Sequence, residues 1–207
     1  MRILYIDTSS SYLYAGIVTN RKLTSEVKKE FGHSLSEEAL PSIVSLFEKE
    51  NLSAKDIDKI IVVNGPGSFT GIRIGITIAK VFAWGLNIPI TSVSALEAMS
   101  LSSTSDKLHV PIINARRNYV FGAIYSKDNN IILKPMHIKL EELLVELADE
   151  DYVFISNDEF DELKDIEPYN PDIEKIVNHF ENKEPINPHA INPEYLKLTE
   201  AEESKKD

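Results

Sequence analysis

The chain has 207 residues, 43% of them hydrophobic, and its 22 Lys+Arg against 33 Asp+Glu give a formal net charge of −11. This is the composition of an ordinary globular chain and excludes a disordered or fibrous one. The absence of cysteine excludes a disulfide scaffold, a thiol nucleophile and any Cys-ligated zinc or iron–sulfur site.

Met1–Asp7 reaches an acid after four apolar residues, so it does not read as a secretory signal, and no uncharged apolar run approaches the roughly 18 residues that span a bilayer. A cytoplasmic location is the expectation. Charge divides the chain. Met1–Tyr125 carries 13 basic and 11 acidic residues, a net of +2, whereas Ser126–Asp207 carries 9 and 22, a net of −13. The acidic part repels phosphate backbones, so nucleic-acid binding by this chain alone is not expected. It reads either as a solvated surface or as a face for a basic partner.

In chain order, Arg2–Asp7 is a buried strand running into Asp7-Thr8-Ser9-Ser10. Tyr12–Thr19 and Leu23–Glu30 continue it as an antiparallel meander turned at Asn20-Arg21-Lys22. Ser34-Leu35-Ser36-Glu37 has the capping-box pattern, and Leu40, Ile43, Val44 and Phe47 then mark one helical face. A strand within Ile57–Asn64 stops at Gly65-Pro66-Gly67, and a long helix follows over Thr70–Gly85. Ile88–Val93 and Ser94–Leu101 make a further strand and helix. The order βββαβαβα suits a mixed sheet covered by helices, as in a ribonuclease-H-like unit.

The second half begins the same way. Strands at Leu108–Asn114, Tyr119–Tyr125 and Ile131–Lys134 precede a helix on Leu140, Leu143, Leu144 and Leu147 and a strand at Tyr152–Ile155. A short helix is expected at Ile173–Phe180. The expected fold class is therefore α/β, with a first unit over residues 1–105, a second, acidic unit over 106–197, and a charged, disordered tail at 198–207.

Three constellations could carry chemistry. Asp7, Thr8 and Ser9 sit where an acid and hydroxyls could hold a metal–phosphate, or where Asp7 simply caps a turn. Gly65-Pro66-Gly67-Ser68-Phe69-Thr70-Gly71 links strand to helix and could present N–H groups to an anion, or serve only as a tight turn. It matches neither the Walker A nor the dinucleotide spacing.

The third is the following helix, whose apolar residues Ile72, Ile74, Ile76, Ile78, Ala79, Val81, Phe82, Ala83 and Trp84 leave only Arg73, Thr77 and Lys80 as a polar stripe. Such a helix needs burial on a second side, either by the rest of the chain or by a partner subunit, with Gly71 and Gly75 permitting close approach. No two of the histidines 33, 109, 137, 179 and 189 have metal-ligand spacing, so no metal site is expected. No glycine follows Gly122, which disfavours an independent ATP-using enzyme.

Ile3–Ile6 with Asp7-Thr8-Ser9, Gly32-His33-Ser34 with Leu40-Pro41, and the run Gly65–Gly75 resemble the TsaB (YeaZ) family. So do Ala115-Arg116-Arg117 with Tyr119-Val120-Phe121, and Pro193-Glu194-Tyr195-Leu196. The resemblance implies an actin-like ASKHA fold of two ribonuclease-H-like lobes, the second shortened. It implies a non-catalytic partner of the paralogue TsaD, helped by the ATPase TsaE. Their joint reaction transfers a threonylcarbamoyl group from its AMP adduct to N6 of the adenosine next to the anticodon, in tRNAs reading codons that begin with adenine.

It further implies self-dimers through the first-lobe helices and contact with tRNA mainly through the complex. No cofactor is expected on this chain, ATP and metal belonging to the partner subunits. The interface expected is Leu40, Ile43, Val44, Phe47, Gly71, Ile72, Gly75, Ile76, Ala79, Phe82 and Ala83, with Asp7, Thr8 and Ser9 a vestigial phosphate site. Ile76→Asp is expected to weaken association without unfolding the lobe. The catalytic paralogue is longer and carries an HxxxH motif, whereas His33 is followed four residues later by Glu37; Asn114 stands where the family usually has Asp. The alternative is an independent ASKHA phosphotransferase or peptidase using Asp7.

Overall fold

The structure is a computed structural model that describes residues 1–31 and 34–197. Expectations for His33 and for the 198–207 tail lie outside the described residues. The chain divides into two compact units: Met1–Ala98 with Pro171–Pro193, and Met99–Asn170 with the residues from Glu194.

In the first unit, β1 (Arg2–Asp7), β2 (Tyr12–Thr19) and β3 (Lys22–Glu30) form the antiparallel meander, and β4 (Lys59–Val63) and β5 (Ile90–Val93) join in parallel. The strand order is β3-β2-β1-β4-β5. The β2–β3 turn has Asn20 and Arg21 at φ 52° and 69°, the left-handed pair that matches the twist of a two-residue hairpin. On one face lie α1 (Leu35–Lys49) and α2 (Phe69–Leu86). Their Leu35, Ala39, Ile43, Leu46, Ile72, Ile76, Ala79 and Ala83 pack with Leu4, Ile6, Leu13, Ile17, Ile60 and Val62 of the strands. At about 1.5–3 kcal/mol per buried aliphatic side chain, this layer dominates the unit's stability.

Helix α1 begins without the expected capping box. The Ser34 hydroxyl turns back to donate to the Phe31 carbonyl at 3.0 Å and leaves the helical N–H groups uncapped by its side chain. Helix α2 is capped at both ends: Ser68 Oγ accepts from Gly71 N, and Asn87 closes it in the left-handed conformation at φ 53°.

The other face of the sheet is covered by a segment that the sequence-based division places in the second unit. Here α5 (Ile173–Phe180) returns to pack its Ile173, Ile176, Val177 and Phe180 against β1, β2 and β3. Three polar ties explain why residues 171–193 belong to the first unit. Glu174 accepts from Leu23 N at 2.8 Å and Lys22 Nζ at 3.0 Å. Arg21 pairs with Glu181 at 3.1 Å. Lys59, buried on β4, donates to the carbonyls of Phe180, Glu181 and Lys183 at 3.4, 2.9 and 2.6 Å. Burial pushes the Lys59 ammonium below its ordinary pKa. The three carbonyls beyond α5 offset that cost and place a cation at the helix C-terminus. Ile186 then bridges Ile90, covering the β5 edge.

After the short α3 (Ala95–Ser102), the second unit repeats the plan with β6 (Leu108–Asn114), β7 (Tyr119–Tyr125), β8 (Ile131–Lys139) and β9 (Tyr152–Ile155) in the order β8-β7-β6-β9. β8 runs five residues beyond its expected end, through Pro135. It is an edge strand, and its register with β7 slips between Gly122 and Ile124, opposite that proline. A bulge at an edge accommodates the missing N–H. Helix α4 (Leu140–Glu146) covers one face, with Leu140, Leu143 and the following Leu147 packed on Val110, Ile112, Val120, Ile124 and Phe154. Where the first unit has a fifth strand, this one has only a bridge from Ile155 to Glu167. The fold is therefore α/β of the actin-like ASKHA class, built from two ribonuclease-H-like units of which the second is shortened.

Candidate functional site

The turn after β1 is closed by the chain itself. Asp7, Thr8 and Ser9 are all buried. One Asp7 carboxylate oxygen accepts from the Ser9 N–H at 2.8 Å and the Ser9 hydroxyl at 2.7 Å, an Asx turn that ends the strand. The Thr8 hydroxyl donates to the Gly71 carbonyl at 2.7 Å, and the Ser9 carbonyl accepts from Ser68 N at 2.7 Å.

The glycine-rich segment is shaped by this contact. A Cβ on Gly67 would lie 2.1 Å from the Ser9 carbonyl oxygen, one on Gly71 2.1 Å from that of Thr8, and one on Gly75 2.2 Å from the Thr8 hydroxyl. The glycines thus let the start of α2 lie directly on the β1 turn. Of the turn's hydroxyls, that of Thr8 is spent on the helix and that of Ser9 on Asp7. Among the described residues no group of three His, Asp or Glu side chains could hold a metal ion.

The outer side of α1 and α2 is the opposite case. Ile43, Phe47, Gly71, Ile72, Gly75, Ile76, Ala79 and Ala83, expected at an interface, are buried in the unit's own core. That expectation is corrected, and with it the Ile76→Asp test: at 4% exposure, a carboxylate there would disrupt the core before any association. Of the expected residues only Leu40 and Val44 are exposed, with Phe82 half-buried against Phe47.

The exposed apolar residues are ones the helical pattern did not separate from the core: Phe69 at 58%, Val81 at 64% and Trp84 at 71%. A groove of about 500 Å³ runs between the helices, lined by Ser36, Leu40, Phe69, Arg73, Ile74 and Ile78. The Arg73 guanidinium lies over the Phe69 ring at 3.9 Å. At the far end of α2 the Trp84 ring meets His189 edge-on at 6.1 Å, and Lys80 Nζ reaches the His189 carbonyl at 3.5 Å. The signal for this face was present in the sequence. Arg73, Lys80 and Trp84 fall within about 40° of one another around an ideal helix.

In the second unit, Asn114 sits at the end of β6, its side chain accepting from Arg116 N at 2.8 Å and its N–H donating to Asp158 at 2.7 Å. Arg116, Arg117 and Asn118 follow, all at positive φ. Asn114 thus braces a hairpin.

With this geometry in view, residues 18–179 match the family described as TsaD: tRNA N6-adenosine threonylcarbamoyltransferase. The Bacillus subtilis tRNA threonylcarbamoyladenosine biosynthesis protein TsaB is 32% identical, over 98% of this chain and 96% of its own length. The chain belongs to the TsaB (YeaZ) family. The Escherichia coli TsaB protein is 29% identical over 69% of this chain and 68% of its own. A solved structure of YeaZ from Pseudomonas aeruginosa superposes with a TM-score of 0.76 at 18% identity, covering 94% of this chain and 99% of that one. The fold is thus common to this chain and YeaZ, and the Bacillus subtilis relative matches over nearly its full length.

Proposed function

We propose that this TsaB-family chain acts in the biosynthesis of threonylcarbamoyladenosine in tRNA as a non-catalytic docking subunit in the cytoplasm. The α1/α2 face binds TsaD, the paralogue that carries out the transfer of the threonylcarbamoyl group, and TsaE acts on the assembled complex. ATP and metal belong to those partners. The observation that carries this reading is a contrast within one unit: the Asp7–Ser9 turn is filled by α2, while the outer side of that same helix leaves Phe69, Val81 and Trp84 to solvent. A closed turn suits a subunit without its own phosphate chemistry, and an apolar face of this size suits a partner. Asp7, buried and bonded to Ser9, lends no support to an independent phosphotransferase or peptidase.

The test is reconstitution. The chain, TsaD and TsaE are combined with tRNA and the threonylcarbamoyl donor, and complex mass is measured by light scattering on a sizing column. Phe69→Asp lies on the surface and should leave folding intact while reducing both the heterocomplex and tRNA modification at least about tenfold. Full modification by a Phe69→Asp chain that no longer binds TsaD would overturn the reading. So would ATP hydrolysis by the chain alone that disappears in Asp7→Ala.

A further inference from the structure

Docking through α1 and α2 leaves one marked stretch of sequence unused, the Ala115-Arg116-Arg117 run between β6 and β7. In the second unit this hairpin forms one wall of a cleft of about 270 Å³, and the loop after β9 forms the other. Both walls are tied in place. The Asn118 carbonyl accepts from Leu140 N at 2.9 Å, which fixes the hairpin to α4. The Asn114 N–H donates to Asp158 at 2.7 Å, which joins hairpin to loop, and Phe160 and Leu163 anchor the loop on the unit's core. The cleft is therefore preformed, and its ligand need not order it.

Its charges are sorted by wall. Arg116 and Arg117 stand on the hairpin side, and Glu159, Asp161 and Glu162 on the loop side. All five are exposed, and none makes an ion pair with a described residue. Opposite charges that share a small cleft without pairing leave both sets of groups open to a ligand. The backbone adds an independent sign. Arg116, Arg117 and Asn118 have φ of 66°, 53° and 61°, a left-handed run that glycine or asparagine adopts at least cost. Two of these positions hold arginine instead, so the turn bears a backbone cost while keeping two guanidinium groups at the cleft. Tyr119, Leu140 and Phe160 add an apolar part to the lining.

We propose that this cleft binds a free α-amino acid with an apolar side chain. Its carboxylate lies on Arg116 and Arg117, its ammonium on the Glu159–Glu162 wall, and its side chain against Leu140 and Phe160. A guanidinium fork meets a carboxylate with two parallel hydrogen bonds. An ammonium, with three donors and no acceptor, suits a wall of carboxylates. A phosphate or a nucleic-acid backbone would be repelled by the acids, and a purely cationic ligand by the arginines. A small zwitterion satisfies both walls, and a cavity of this size suits a small molecule. The site lies apart from α1 and α2 and enters no step of the proposed function.

The full chain, isotope-labelled for amide NMR, is titrated with L-leucine and with two blocked forms of it. N-acetyl-L-leucine lacks the ammonium, and L-leucine methyl ester lacks the carboxylate. L-leucine should give saturable shifts of amide signals in the β6–β7 hairpin and the loop after β9. Either blocked form should bind at least about tenfold more weakly. Arg116→Gln with Arg117→Gln, both on the surface, should erase the preference for L-leucine over its ester and keep that over the N-acetyl form. Glu159→Gln, Asp161→Asn and Glu162→Gln together should do the converse.

A merely structural role for these side chains would weaken all three compounds alike, and that result would overturn the proposal. So would the absence of saturable binding by L-leucine, shifts centred elsewhere in the chain, or equal binding of L-leucine and its blocked forms. None of these outcomes bears on TsaD binding, which Phe69→Asp tests by itself.

Discussion

The two units share a strand order, β3-β2-β1-β4 in the first and β8-β7-β6-β9 in the second, yet they bury their sheets differently. The first has a fifth strand, two long helices on one face and a returned helix on the other. The second replaces the fifth strand by the Glu167 bridge and covers one face with a seven-residue helix. Their glycines differ in kind as well. Gly67, Gly71 and Gly75 lie against backbone or a buried hydroxyl, whereas Gly122 of the second unit faces side-chain ends, of Leu143 at 3.1 Å and of Val120 and Ile112 at 3.5 and 3.6 Å. The lesson is that one topology tolerates two levels of completion. The first unit buries both faces of its sheet and still leaves Phe69, Val81 and Trp84 of α2 exposed.

The largest test of this contrast is Gly71→Ala. Its new methyl meets the fixed Thr8 carbonyl, and the expected loss is at least about 3 kcal/mol, seen as a large drop in the thermal midpoint. Gly122→Ala, against a side chain that can turn aside, should cost about 1 kcal/mol. Equal losses at the two sites would remove the distinction between the units.

Next in size is Lys59→Met, which keeps the apolar stem but strands the carbonyls of Phe180, Glu181 and Lys183. A loss on the order of 2–3 kcal/mol is expected in denaturant unfolding. Hydrogen exchange should rise first in α5. Unchanged protection there would show that the apolar contacts of α5 alone hold it to the first unit.

A smaller effect is set by pH. The Leu23 N–H, and after it Lys22, hold the Glu174 carboxyl below its ordinary pKa. Its stabilisation is therefore present above the usual carboxylate range and lost as pH falls through the lowered value. Glu174→Gln should flatten the decline in thermal midpoint between about pH 5 and pH 3. A decline as steep as that of the parent chain would assign the acid sensitivity to other carboxylates. Smallest of all is Gly85→Ala on the exposed end of α2, where a methyl meets nothing within 4 Å; it should raise stability by about 0.5–1 kcal/mol.

Local pattern made most elements legible. Alternation and β-branched runs marked β1, β2 and β4 through β7, and apolar spacing marked α1, α2, α4 and α5, because each must bury one stripe against a sheet. β8 was underread at Pro135, since an isolated sequence does not show that a strand lies at an edge. The exposed face of α2 was half legible. The circumference of α2 announced a helix too apolar for one buried side, but most of the residues expected at an interface lie in the unit's core. Ile43, Ile72 and Ile76 are apolar, as are Val81 and Trp84, and only the position of the sheet tells core from surface.

The sequence by itself determined the βββαβ repeat, the family and the apolar excess of α2, because these depend on residue type and spacing along the chain. The tertiary structure decided which stripe of α2 faces solvent, that α5 returns to the first unit, and that the Thr8 hydroxyl is spent on α2. Each of these depends on contacts between residues from about 60 to more than 120 positions apart, such as Thr8 with Gly71 and Lys59 with Lys183. Such contacts are selected by packing and hydrogen-bond satisfaction across the fold, and no local pattern encodes them.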